Sequence, residues 1–244
     1  MPIPLQPIEI LSVYFDKQKN RLNLPKRMAQ CTPDTKRAVL RIREVLKDKG
    51  INLFLSDMFR SHDMQLQAQM DNAKKGVFSP PPGGSMHEAG RAIDLDLDAL
   101  LKAKILKLED FWEIATDHRM FPIISTPNPK TSEAWHFDCR GSHGKVRQYY
   151  LDGKGGNNMK PYKAMAASAI LAIGVQVDQF NNQKAAAIQS ALIRLGHEIG
   201  ALDGSIGTKT KNALAATGVS LSDEETMLSN LEDRLRAEFP DEFE

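Results

Sequence analysis

Gly83-Gly84-Ser85-Met86-His87-Glu88-Ala89-Gly90-Arg91-Ala92-Ile93-Asp94-Leu95-Asp96 is the stretch around which the rest of the chain can be organised. Ile93, Leu95 and Leu97 alternate with Asp94, Asp96 and Asp98, the period-2 pattern of a half-buried strand. Gly90 can supply the tight turn that brings His87 back toward that strand. A carboxylate among branched apolar side chains is costly to bury unless it is paired or binds a cation, and an imidazole beside it adds a second donor that zinc accepts. Two ligands do not close a site. The later segment that offers a third, with a base nearby, is Glu133-Ala134-Trp135-His136-Phe137-Asp138.

At 244 residues, 41% apolar and 26% charged, the chain can bury a proper core in one or two domains. A formal charge of +1 lacks the basic excess of a nucleic-acid binder, and no nucleic-acid partner is expected. Glu9, Asp16, Lys17, Lys19 and Arg21 interrupt the first apolar patches, so no secretory signal is visible. Phage-type release or a trimmed mature form is the expectation. The apolar run from Ala164 to Val177 is shorter than the roughly 20 residues of a membrane span and reads as a buried helix. Cys31 and Cys139 are too few for a disulfide framework, although one bridge is possible. Cys139, three residues after His136, could join a metal site, but a buried thiol is the commoner fate of a lone cysteine.

Taken in order, residues 1–30, with Pro2, Pro4, Pro7 and Pro25, read as an arm packed on the domain. Thr32 or Asp34 can cap a helix that runs to about Lys49 and stops at Gly50. Ile51 to Phe59 reads as a strand delivering Arg60 to its end, and Ser61-His62-Asp63 can start a helix through Lys75. Val77 to Gly84 joins three prolines to two glycines and makes a loop able to flank a cleft. Helical spacing over Leu100 to Leu108 and Glu109 to His118 precedes strand candidates at Phe121 to Ser125 and Ala134 to Cys139. On an ideal strand Glu133 and His136 face opposite sides, so a shared site requires Glu133 in the entering loop or on a bulge.

Glycine-rich Gly141 to Gly156 should close the first domain. Ile188, Ala191, Leu192 and Leu195 then mark a helix stopped by Gly196, and Thr208 to Ala216 a second. Ser222 and Glu225 have capping-box spacing ahead of a third, with Leu228, Leu231 and Leu235. The expected organisation is a metal domain over residues 1–152, a linker over 153–163 and a small helical domain over 164–244.

His87, Asp94 and His136 would leave a fourth position on zinc for water, whose pKa would fall from about 15.7 toward roughly 7. Glu133 could take the proton from that water, while Arg60 and Ser85 could hold a substrate carboxylate or carbonyl. Plainer alternatives stand beside these. Six histidines and many acids produce such pairs by chance. Arg60 alone would read as a solvated or helix-capping charge. His143, seven residues after His136, could replace a ligand or donate a proton, whereas His62, His118 and His197 read as exposed or hydrogen-bonded.

The joint pattern Gly83-x-Ser85-x-His87-x-x-Gly90-x-Ala92-x-Asp94, with Glu133-x-Trp135-His136 after it and Phe59-Arg60-Ser61 and Gln65 before it, resembles the zinc D-alanyl-D-alanine peptidases, which include the vancomycin-resistance carboxypeptidases. The resemblance covers roughly residues 30–145. It implies an α+β fold shared with the hedgehog signalling domain, having a small antiparallel sheet and flanking helices. It further implies one zinc ion on His87, Asp94 and His136, Glu133 as general base, and Arg60, Ser85, Gln65 and Trp135 toward substrate. The substrate class would be peptidoglycan stem peptides. The chain departs from the pattern at Phe59, where many relatives carry tyrosine, and in the 41 residues between Asp94 and His136, fewer than the resemblance implies.

The tail, Ile188-Gln189-x-x-Leu192-x-x-Leu195-Gly196 and then Asp203-Gly204-x-Ile206-Gly207-x-x-Thr210-x-x-Ala213-Leu214, resembles the three-helix peptidoglycan-binding module. A plain helical packing domain is the alternative. Together the two halves lead to the expectation of a monomeric zinc peptidase acting at the bacterial cell wall or in the periplasm, of D,D-carboxypeptidase type. An endolysin-type endopeptidase is a second possibility, and a non-catalytic wall-binding protein with a structural zinc site is one of another class.

Overall fold

The computed structural model describes residues 2–102 and 104–244. In chain order these form β1 (Gln6–Pro7), β2 (Leu11–Phe15), β3 (Arg21–Asn23), β4 (Gln30–Cys31), α1 (Pro33–Asp48), β5 (Leu55–Asp57) and α2 (His62–Lys74). A 3-10 turn, Met86–Ala89, precedes β6 (Ala92–Leu95), α3 (Leu97–Lys102), α4 (Leu108–Asp117), β7 (Met120–Pro122) and β8 (His136–Cys139), and a second, Pro240–Glu242, lies near the C-terminus. Helices α5 (His143–Leu151), α6 (Pro161–Ala172), α7 (Gln183–Arg194), α8 (Thr208–Ala216) and α9 (Glu224–Glu238) complete the chain. The fold is α+β. Among the described residues no helix is long and apolar enough to cross a membrane.

The chain's contacts group it into two compact units, one of which comprises Leu5–Arg60 and Gly90–Gly141. Its six-stranded sheet runs β3-β2-β5-β6-β8-β7. It is antiparallel except at β2 and β5, which pair in parallel. The N-terminal segment is more than an arm. Ile8, Ile10 and Leu24 are buried, the Leu24 N–H donates to the Ile10 carbonyl, and β2 and β3 extend the sheet at one edge.

Strand β6 stops earlier than its alternating pattern, because Asp96 turns its Oδ1 to accept the Ala99 N–H at 3.0 Å and opens α3. All four residues of β6 are buried, so the strand is covered on both faces rather than half-buried. Arg91, just before it, is fully buried; its guanidinium grips the Asp34 carboxylate at the start of α1 and donates from Nε to the Cys139 carbonyl at 2.9 Å. Cys31 and Cys139 are free buried thiols rather than a bridge. Burial pushes the Cys31 thiol up to about 12 and raises that of Cys139 as well.

The other unit comprises the N-terminal residues up to Pro4, Ser61–Ala89 and Ser142–Glu244. The helical tail therefore groups with α5 and with the segment preceding Gly90, and of residues 153–163 Gly155 is buried. A Cβ on Gly155 would stand 2.2 Å from the Tyr150 ring, and α6 already begins at Pro161. Tyr149 of α5 accepts the Ile199 and Gly200 N–H groups at its hydroxyl, and Tyr150 accepts that of Leu202. Gln189 explains part of the tail motif: its carbonyl oxygen accepts the Asp203 and Gly204 N–H groups while its amide donates to Asp203 Oδ1 and the Ser205 carbonyl. Helix α9 is capped by Asp223, which accepts the Thr226 N–H at 3.0 Å, and not by Ser222 as its spacing suggested.

Candidate metal centre

The glycine-serine stretch before His87 folds around a carboxylate. Glu88 is buried, and its two oxygens accept the Gly83 N–H, each at 3.0 Å, while Oε2 also accepts the Ser85 N–H at 3.2 Å. Ser85 in turn accepts the His87 N–H on its Oγ at 3.3 Å, so the 3-10 turn presenting His87 is fixed from both ends. Burial raises the Glu88 carboxyl against the downward pull of these backbone donors. Gly90 follows at φ +62°, and a Cβ there would lie 2.8 Å from Leu5 Cδ2 and 3.0 Å from Cys31 Cα, so only glycine fits the turn.

Asp94 and His136 are directly opposite in the β6–β8 register, which places them side by side. His136 Nδ1 lies 2.9 Å from Asp94 Oδ1, and its Nε2 lies 2.8 Å from Asp138 Oδ1. The other oxygen of Asp94 accepts from Arg60 at 3.4 Å, and the Arg60 Nε donates to Asp57 at 2.6 Å. His87, Asp94 and His136, all buried, each offer a ligand atom, and these atoms lie within 4.8 Å of one another. Two imidazole nitrogens and one carboxylate oxygen are a donor set that zinc takes in sites keeping an open position. Among the described residues the cluster includes neither Cys139 nor His143. His143 is fully buried and engages Ser168 Oγ at 2.8 Å in the helical unit.

Burial opposes charge on His136, but Asp138 and Asp94 reverse that effect and carry its pKa to about 10. At neutral pH the ring therefore holds a proton on each nitrogen, and a metal taking Nδ1 must displace one. Zinc uptake near pH 7 is expected to release about one proton, with apparent affinity falling about tenfold per pH unit as pH drops below about 10. Calorimetric titrations in two buffers of different ionisation enthalpy measure this directly; zinc binding without proton release would refute it.

Glu133 sits in the turn entering β8 at φ +67°, the left-handed region, and its carbonyl accepts the His136 N–H at 3.0 Å. The left-handed turn removes the strand geometry that would have forced Glu133 and His136 to opposite faces. Trp135, in the same turn, is 36% exposed. Arg60 is partly buried between its two carboxylates. Ser85 is buried, as is Gln65, whose amide donates to the Pro80 carbonyl at 2.7 Å and braces the proline loop. Sequence reasoning did not single out Asp57, Glu88 or Asp138. Only Asp138 left a signal, the i, i+2 spacing from His136 that puts both on one face of a strand.

No family model and no curated protein matches the chain. Among solved structures it is similar to the LdcB LD-carboxypeptidase, reported as revealing the molecular basis of peptidoglycan recognition, with a TM-score of 0.41 and 18% identity. That match covers 55% of this chain and 66% of the other, just under two thirds of its length.

Proposed function

We propose that the protein is a zinc-dependent peptidase hydrolysing peptide bonds in peptidoglycan stem peptides, of D,D-carboxypeptidase type. The observation that carries the reading is the buried His87–Asp94–His136 cluster, with ligand atoms within 4.8 Å, arising from residues in the order of the zinc D-alanyl-D-alanine peptidases and, within each motif segment, in their spacing. A zinc ion held there would acidify a water molecule and polarise a carbonyl. Glu133 accepts the water's proton and returns it to the leaving amine. Arg60 meets the substrate's carboxylate or carbonyl while orienting Asp94, and Trp135 lines the approach. Ser85 and Gln65 act by shaping the loop that carries His87. The helices over 164–244 hold the enzyme on its polymer, raising the local substrate concentration.

The test is zinc-loaded protein incubated with a stem pentapeptide ending in D-Ala-D-Ala and with cross-linked muropeptide dimers, read by mass spectrometry beside a chelator-treated control. Zinc-dependent loss of one terminal alanine is the expected result. Splitting of the dimer instead would replace the carboxypeptidase with an endolysin-type endopeptidase. Binding to sacculi with no cleavage of either substrate would overturn the enzyme reading in favour of a wall-binding protein.

A further inference from the structure

We propose that Asp138 is a positioning residue that decides which nitrogen of His136 faces the metal, holding Nε2 so that Nδ1 is presented beside Asp94. The inference rests on the metal-centre reading and extends it to a residue outside the motif.

The geometry gives Asp138 little freedom to do anything else. The two-residue period of β8 turns His136 and Asp138 to one side and Phe137 to the other, where its ring meets Phe111 edge-on at 5.0 Å between centroids. That contact resists rotation of the strand about its axis. Asp138 is paired in register with Ala92 on β6 and Phe121 on β7, so it lies in the interior of the sheet. The next residue is tied at both backbone groups, the Cys139 N–H donating to the Arg91 carbonyl at 2.7 Å and its carbonyl accepting from Arg91 Nε at 2.9 Å. On this rigid frame a fully buried Asp138 oxygen stands 2.8 Å from Nε2.

A carboxylate so buried carries a large desolvation cost, and an apolar residue would serve the core better if packing were its only task. Its chemistry suits a ligand support. An imidazole donating its distal N–H to a carboxylate has its tautomer and ring orientation set and becomes a more basic donor at the other nitrogen; losing such a partner typically costs about 10–100-fold in metal affinity.

The full-length protein and the Asp138→Asn and Asp138→Ala variants are compared by zinc affinity in competition with a chromophoric chelator, by the visible spectrum of the cobalt-substituted protein, and by urea denaturation without metal. Asp138→Asn keeps the shape and an acceptor oxygen and is the deciding variant. Its zinc affinity is expected to fall about 10-fold, and that of Asp138→Ala toward about 100-fold, with a changed cobalt spectrum in both. A purely structural Asp138 would shift the urea midpoint and leave the affinity of the folded Asn variant within twofold of the original, and that result overturns the inference alone. Failure of the unaltered protein to bind zinc would overturn the metal-centre reading as well.

Discussion

Glu133→Gln is expected to lower turnover of a stem pentapeptide by a factor of about 100 to 10,000, the usual range for loss of a positioned general base, with zinc content unchanged. Glutamine has nearly the same shape, but its amide cannot accept the water's proton. The backbone supplies a second, sharper variant. At φ +67°, Glu133 occupies a conformation that costs a residue with a Cβ on the order of 1 kcal/mol and glycine almost nothing. Glu133→Gly is therefore expected to be as stable as the original protein, or more stable by up to about 1 kcal/mol in urea denaturation, and equally inactive. A residue kept at a local cost in stability is consistent with a functional demand on its side chain. Turnover within threefold of the original in Glu133→Gln would remove Glu133 from the mechanism.

The His87–Asp94–His136 cluster was legible because its demands are local. A carboxylate in an apolar strand and an imidazole across a glycine turn can be read from a window of a few residues, and Asp94 and His136 meet because their strands pair in register. Glu133 was half legible. Its spacing from His136 does not suit a straight strand, and the left-handed turn that takes Glu133 off the strand depends on how the chain enters β8, which no propensity encodes. The parallel pairing of β2 with β5 was illegible, because Ser12 and Leu55 are brought together by the whole unit and by no local pattern. Glycines at 153, 155 and 156 look like a flexible linker, yet at Gly155 the missing side chain makes room for the Tyr150 ring. Likewise the burial of Arg91 and Glu242 has no signal in the sequence, since a long-range ion pair leaves no periodic trace.

Glu242 leads to the largest expected loss of stability. It lies two residues before the last described position, Glu244, and its carboxylate accepts the Ser142 N–H, the Ser142 hydroxyl at 2.9 Å and the Arg194 guanidinium at 2.7 Å. Arg194 also donates to Ser142 Oγ at 2.7 Å. Both charged side chains are only 4% exposed, so the pair is poorly screened, and the carboxylate meets the start of α5, where the helix dipole favours negative charge. Glu242→Ala strands the arginine in a dry interior, and breaking a buried pair in this way costs about 3–5 kcal/mol. At about 2–4 °C per kcal/mol for a chain of this size, the melting temperature should fall by roughly 6–20 °C. Replacing both partners, Glu242→Leu with Arg194→Met, should recover most of the loss, because no charge is then left uncompensated. Removal of residues 240–244 should cost more than Glu242→Ala, because the buried Phe243 side chain is lost with the carboxylate. In the same unit α6 packs against the turn bearing His87, so loosening these helices acts on the support of a proposed metal ligand and not on a detachable appendage. The address role of the tail is therefore better tested by substitutions on its exposed face than by deleting it. A melting temperature unchanged within 2 °C in Glu242→Ala would show that the buried pair does not hold the helical unit together.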